Sequence, residues 1–424
     1  MIKGKDGEYS LMISRREFLE TVLKLSPMIG GTGIVLSDPF WQRFLSGTDS
    51  GIAIAGNYLD EIVRTAPRAR YWTSPVSSET HCFACHGSQE NIRRKRHVHT
   101  ENIVKCLLCA HNCVIRPGQR GRCRTRLNFN GELRSLVYGR PVSIHVDPIE
   151  KKPFYHFLPG AEAYTIGTSG CPFQCKFCQN WELSQSSPED YKVPYVLPTK
   201  ISSSALERRS RVIAFSYNEP TVYTEYVTDI ARAGKKLGLR SVLISCGFMN
   251  EAPLADMCRV LDAIKIDLKG YSEHFYRTVS NAELRPVLRS IQQIAKSRVH
   301  LEIVNLVVPT LNDSDTMLQE LIKWILGEIG PDVPIHFTRF HPDYQMLNLP
   351  PTPVATLERA RDMALSRGMH YPFVGNVPSH QGNHTYCPKC KKIVIQRHGF
   401  FITEMNIKGG RCKYCNRKIA GVWM

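Results

Sequence analysis

The 424 residues, 42% of them hydrophobic, are enough to bury a substantial core, which excludes a disordered chain and leaves room for one main catalytic domain with smaller appendages. Lys and Arg outnumber Asp and Glu by 55 to 38, and the formal charge of +17 suits an anionic partner such as RNA, a phosphorylated cofactor or a membrane surface, although the basic residues are scattered. The 15 cysteines are odd in number and all but Cys246 and Cys258 fall into short-spaced groups, which argues for metal ligation over a disulfide framework.

Residues 1 to 56 read as a segment outside the fold. Ser14-Arg15-Arg16-Glu17-Phe18-Leu19, followed by a mildly apolar stretch to Leu36, has the form of a twin-arginine (Tat) export signal, with Ala53-Ile54-Ala55 as the candidate cleavage site. Glu20 and Lys24 interrupt a stretch that is already short, so no stable membrane span is expected. An ordinary amphipathic helix is the alternative.

Residues 57 to 130 are rich in Cys, His, Arg and turn formers and poor in periodic apolar pattern, so this Cys-rich module should owe its shape to bound metal more than to a core. His81-Cys82-Phe83-Ala84-Cys85-His86 contains the Cys-x-x-Cys-His pattern of covalent haem c attachment. Haem is the less favoured reading of so short a motif; Cys82 and Cys85 serve as well for another metal or as a dithiol. Arg93-Arg94-Lys95-Arg96 reads as a solvated linker. Cys106, Cys109, Cys113 and Cys123 suffice for a closed four-coordinate zinc site, the preferred reading, or for a second iron-sulfur cluster, and ligand softness does not choose between them.

Over residues 131 to 385 short β-branched runs alternate with helix-length segments. The pattern predicts strands over Ala163–Thr168, Arg211–Tyr217, Arg240–Cys246, Leu261–Leu268, His300–Val308 and Pro334–Phe340. Helices are predicted over Thr221–Leu237, between Pro220 and Gly238, and over roughly Asn281–Lys296, Ser314–Glu328 and Thr352–Arg367. Repeated strand-helix units mean an α/β fold with a parallel sheet, either doubly wound or a barrel. Six strands are too few to close an eight-stranded barrel, so a partial (β/α)6 TIM-like barrel is expected. In residues 386 to 424 the pairs Cys387/Cys390 and Cys412/Cys415 flank a β-like stretch, Ile393 to Ile407, the pattern of a structural zinc ribbon.

Gly170-Cys171-Pro172-Phe173-Gln174-Cys175-Lys176-Phe177-Cys178 directly follows the first predicted strand, at the end that is the catalytic face of α/β barrels. Three thiolates can hold three irons of a [4Fe-4S] cube and leave the fourth open to chemistry. A zinc site wants a fourth ligand nearby, and no neighbouring residue supplies one. The Cys-x3-Cys-x2-Cys spacing, with Phe177 before the last Cys, resembles the signature of the radical S-adenosylmethionine (SAM) superfamily. Cys106-Leu107-Leu108-Cys109 with Cys113, Pro117-Gly118-Gln119-Arg120-Gly121-Arg122-Cys123, Asn218-Glu219-Pro220-Thr221, Asp267-Leu268-Lys269-Gly270 and Val308-Pro309-Thr310-Leu311-Asn312-Asp313 narrow the resemblance. Together they look like the AmmeMemoRadiSam-system radical SAM enzymes, relatives of pyruvate formate-lyase activating enzyme.

The resemblance implies that SAM chelates the open iron and is reductively cleaved to a 5′-deoxyadenosyl radical that abstracts hydrogen. It implies a reductant of ferredoxin or flavodoxin type and an unidentified substrate, with a protein of the glycyl-radical kind as the extrapolation. Asn218 and Glu219 occupy the position of the family's Gly-Gly-Glu-Pro-like motif, where they can accept hydrogen bonds from the SAM ammonium. Ser245, Asn305 and Arg339 are further cofactor-binding candidates at strand ends, and Asp267 and Lys269 are the catalytic candidates, with an ion pair that merely closes the barrel as the alternative. A capping or core role is expected for His341. Rival readings are a multi-centre electron-transfer protein, an RNA-modifying protein using the ribbon and the positive charge, and a methyl- or methylthio-transfer enzyme using Cys246. SAM is a cytoplasmic metabolite, whereas the N-terminus suggests export, so the compartment stays open.

Overall fold

Runs of apolar residues buried on both faces are the mark of a covered parallel sheet, and the strands between residues 162 and 375 are built from them. In the computed structural model the described residues are 50–74 and 102–423. The twin-arginine motif, Cys82 and Cys85 with their haem-type pattern, and Arg93–Arg96 lie outside them. The chain divides into Met1–Gly56 and Asn57–Met424, and the second unit is the one described below.

One open sheet carries β1 (Ser143–Pro148), β2 (Glu162–Gly167), β3 (Val212–Phe215), β4 (Arg240–Ser245), β5 (Ala263–Asp267), β6 (His300–Val307), β7 (Ile335–Arg339) and β8 (Pro372–Gly375), in that spatial order. β1 is antiparallel to β2, and β2 to β8 are parallel. Each parallel strand returns to the sheet through a helix: α1 (Pro198–Glu207), α2 (Thr224–Lys236), α3 (Glu251–Cys258), α4 (Leu284–Ala295), α5 (Asp315–Glu328) and α6 (Val354–Ser366) in turn. The order never reverses, which rules out the doubly wound arrangement with its switch point. Right-handed crossovers that always step the same way leave their helices on one face.

The expectation of six parallel strands is corrected to seven. β8 is four residues long and opens on Pro372, tolerable in an edge strand but weak as a strand signal. β1 was also missed, because Ile144 and Val146 are exposed and only Asp147 is buried, so no apolar alternation marks it. Elsewhere side-chain alternation divides the core. Ile213 and Phe215 join the large cluster shared with the helices, whereas Ala163, Val212, Ala214, Val242 and Ala263 form a smaller cluster with Phe154 and Phe157. α2 buries Val227, Ile230, Ala231 and Gly234 at helical spacing and ends at Gly238, whose φ of +75° gives the left-handed turn that Leu239 needs to donate to the Gly234 carbonyl.

The tail docks beside the starts of β6 and β7, at the opposite ends of these strands from the cysteine loop. Its strands Ile393–His398 and Phe401–Met405 pair antiparallel, Arg397 donates to the Tyr155 carbonyl at 2.7 Å, and the His156 Nδ1 lies 2.6 Å from the Ala420 carbonyl oxygen. Beneath it Glu302 accepts from the Tyr155 and His156 amides at 3.0 and 2.8 Å and lies 2.7 Å from His336 Nε2. Among the described residues no helix is long and apolar enough to cross a membrane.

The Cys-rich module adds the strands Val104–Cys106 and Val114–Ile115 and a hairpin, Arg126–Phe129 with Glu132–Ser135. It is joined to the sheet by Arg126, whose Nη1 and Nη2 each donate to Glu225 on α2 at 2.7 Å.

Two outcomes are expected. Glu225→Gln leaves a buried guanidinium without its counter-charge and should cost about 3–5 kcal/mol in urea unfolding. Burial lowers the His156 imidazole to about 3 and lowers His336 as well, so both fold neutral. At these two histidines the unfolded chain therefore binds more protons below about pH 6.5, and their contribution to stability should fall with pH from there, by about 1.4 kcal/mol per unit for His156, while Glu150, which burial raises to about 7, contributes with the opposite sign. Urea unfolding of the native protein and of His156→Gln at pH 7, 6 and 5 reads the histidine's part as the difference between the two slopes.

Candidate active site

β2 ends at Gly167, and the chain turns through Thr168 and Ser169 to Gly170 and the first cysteine of the triad. Gly170 has φ +85°, and a Cβ there would stand 2.4 Å from Thr125 Cγ2 and 2.5 Å from the Cys123 carbonyl oxygen. Only glycine lets the loop pass so close to the Cys-rich module. The loop is then fastened by backbone: Gln174 and Lys176 donate to the Ser280 and Val279 carbonyls at 3.1 and 3.0 Å.

Cys171, Cys175 and Cys178 line one cavity of about 390 Å³ at the C-terminal ends of the parallel strands, and none is in a disulfide. Burial raises all three thiols, Cys175 to about 11 against the opposing pull of the Lys269 ammonium. Three free thiols, two of them under the pull of the Lys269 ammonium, suit an anionic thiolate cluster, whose loading would release protons.

The loop after β3 forms the adjoining wall. Tyr217 sits in the left-handed region at φ 71°, local strain of the kind found at functional sites. Asn218 lines the cavity, and its amide is committed to the cysteine loop: Oδ1 accepts from Thr168 N at 3.1 Å, and Nδ2 donates to Thr168 Oγ1, Ser169 O and Gly170 O at 3.0, 3.2 and 2.8 Å. Glu219 is held by Thr221 Oγ1 at 2.6 Å, Ser245 Oγ at 2.7 Å and the Cys246 amide at 2.7 Å. Cys246 also lines the cavity, with burial and then the Glu219 charge raising its thiol.

Across the cavity Asp267 bridges two cations, Lys265 and Lys269, the latter at 3.0 Å. Burial would raise its carboxyl, but the two ammonium groups win and hold it at about 2. For Lys269, burial is outweighed by Asp267 and the ammonium is reinforced. Asn305 and Arg339 do not line the cavity. Their neighbours Val304, Leu306, Thr338 and Phe340 do, and alternation sends the intervening side chains away. Asn305 instead donates to Leu268 O at 2.9 Å, and Arg339 to Thr352 O at 2.8 Å. His341 lines the cavity and is exposed.

Sequence reading passed over Lys265, Lys152, Asp147 and Tyr217. Lys152 donates to Asp147 at 2.7 Å, and the Tyr217 hydroxyl donates to the same carboxylate at 3.0 Å. The available signal was Lys151-Lys152-Pro153 beside an unrecognised strand, β1.

The tail sulfurs stand 3.5 Å apart for Cys387 and Cys415 and 3.7 Å for Cys390 and Cys412, and the four could hold a metal ion. Cys106, Cys109, Cys113 and Cys123 line a separate small pocket behind the cysteine loop.

A sequence profile of the radical SAM superfamily matches residues 165–325. The uncharacterized protein MJ0808 of Methanocaldococcus jannaschii is 39% identical over 321 residues, 75% of this chain and 96% of that protein. MJ1632 of the same organism, named provisionally as a glycyl-radical enzyme activating enzyme, is 26% identical over 211 residues, 48% of this chain and 78% of that one. A solved domain of pyruvate-formate lyase-activating enzyme from Bacteroides vulgatus has a TM-score of 0.35 at 13% identity, over 38% of this chain and 98% of that domain.

Asn218→Ala removes four hydrogen bonds that hold residues 168 to 170, so the loop should load iron poorly while the sheet stays folded. Iron per chain after anaerobic reconstitution, beside far-ultraviolet circular dichroism, checks this.

Proposed function

Because the chain belongs to the radical SAM superfamily, we propose that Cys171, Cys175 and Cys178 hold a [4Fe-4S] cluster at which SAM is reductively cleaved for hydrogen abstraction. The observation that carries the reading is one cavity at the strand ends that gathers the three thiols, Glu219 and the Asp267–Lys269 pair. The chemistry that the bound cofactors supply is one-electron cleavage of SAM to methionine and a 5′-deoxyadenosyl radical.

The residues of the chain bind and orient. Glu219 is fixed by Ser245 and the Cys246 amide and is the carboxylate that serves the SAM ammonium. Asn218 acts through the loop it holds and is a positioning residue. Lys269, kept charged by Asp267, lines the same cavity and would offset the negative charge of the thiolates and of a bound SAM carboxylate. The parallel sheet serves as a partial barrel, its helix-free face turned to the cofactors. A low-potential donor of ferredoxin or flavodoxin type supplies the electron. A protein substrate of the glycyl-radical kind is the extrapolation, supported by the resemblance to activating enzymes and by the name of MJ1632. The tail tetrad is assigned zinc, because Zn–S bonds of about 2.3 Å at tetrahedral angles put sulfurs roughly 3.8 Å apart.

Reconstituted protein, reduced with dithionite and given SAM, should form 5′-deoxyadenosine, read by mass-resolved chromatography, and Cys175→Ala should abolish it. A native protein with an intact cluster signal and no product would shift the reading to an electron-transfer protein.

A further inference from the structure

The Cys106, Cys109, Cys113 and Cys123 thiols meet at a pocket that the proposed chemistry leaves unused. Local structure brings them there. Cys106 closes one strand and Cys113 precedes its partner, with the Cys106 amide donating to the Cys113 carbonyl at 2.9 Å. Cys109 lies in the turn between them, bridged to Met249, and Cys123 follows Arg122 at the same pocket. None is in a disulfide.

Two observations say what the pocket takes. The first is Arg126, which lines it and is 1% exposed. Nη1 and Nη2 are satisfied by Glu225 and the Val222 carbonyl, but the buried Nε has no hydrogen-bond partner among the described residues. A buried donor left unmade costs about 1–3 kcal/mol, and a thiolate or sulfide in the pocket removes that cost. The second is spacing. Sulfurs on one zinc ion stand roughly 3.8 Å apart. Among the described residues the tail tetrad stands this close, and the quartet is not so gathered. One ion would have to draw the four thiols together, whereas a cube takes them at separate corners.

Its position gives it a use. Pro172 lines this pocket while Cys171, its neighbour in sequence, lines the active-site cavity. His111 Nε2 lies 3.0 Å from the Pro172 carbonyl oxygen, and Gly170 is pressed against the Cys123 carbonyl. The two sites share a wall one loop thick.

We propose that Cys106, Cys109, Cys113 and Cys123 hold a second [4Fe-4S] cluster, with Arg126 Nε–H donating to one of its sulfurs, and that it relays electrons to the first. The relay takes one electron from a ferredoxin- or flavodoxin-type donor and passes it on, ending as oxidised as it began, with no bond made or broken at the quartet. The relay role rests on the SAM-cleavage reading, whereas the presence of the second cluster does not.

The test uses the full chain, purified anaerobically and reconstituted, in three forms: native, Cys171→Ser/Cys175→Ser/Cys178→Ser, and Cys109→Ser/Cys113→Ser. Native protein should hold about eight irons, and the triad variant about four with the electron paramagnetic resonance signal of a reduced cluster. A triad variant that carries zinc beyond the tail's share and no iron, or no metal at the quartet, overturns the second cluster. That variant decides alone, so a misfolded quartet variant leaves the answer intact. For the relay, a folded quartet variant that keeps about four irons should lose 5′-deoxyadenosine formation driven by reduced flavodoxin; undiminished formation overturns the relay. Native protein with about eight irons and no 5′-deoxyadenosine would refute SAM cleavage while sustaining the second cluster.

Discussion

The ion pair between Arg126 and Glu225, both nearly excluded from solvent, is the point on which the arrangement turns. Glu225 also accepts the Arg70 amide at 2.8 Å, so one carboxylate on α2 secures two stretches of the Cys-rich module. Buried pairs of this kind add little net stability over an apolar replacement, but they fix register, since any slippage strands a charge. Here the register places Cys123 and Thr125 against Gly170, and so sets the wall behind the cysteine loop. Asn218 then ties that loop to the next strand end.

The cavity is assembled from charges that would be costly singly. Asp267 between Lys265 and Lys269, and Asp147 between Lys152 and Tyr217, form two hydrogen-bonded groups at its sides. Each leaves a cation facing a space where thiolates and a carboxylate-bearing cofactor are proposed to meet. Preorganised charge of this kind needs little rearrangement when ligands enter.

Short-range pattern made the triad, the Asn-Glu-Pro loop and the tail pairs legible, because each places its chemistry within a few residues. Strand ends were legible as regions, but side-chain parity was not. Asn305 and Arg339 were read by their nearness to strand ends, and alternation turned them from the cavity that their neighbours line. Lys152, Asp147 and Tyr217 were missed because β1 carries no apolar alternation and its partner loop lies 65 to 70 residues on. Arg126 could not be singled out, since its partner is 99 positions away and nothing local marks either residue as buried. β8 was hidden by its brevity and by Pro372.

The sequential strand order bears on how the molecule comes to be made. Each strand pairs with the one just before it, so the sheet can grow in the order of synthesis, and domains generally fold from the N-terminal side as they emerge. The cysteine loop, its tie to Asn218 and its anchor at Ser280 are all encoded before β6 has left the ribosome. The tail that packs under the strand starts comes last. A nascent chain thus presents the three cysteines of the loop while its opposite pole is still open, and closure of that pole is a late event in biogenesis that the cysteine loop does not have to wait for.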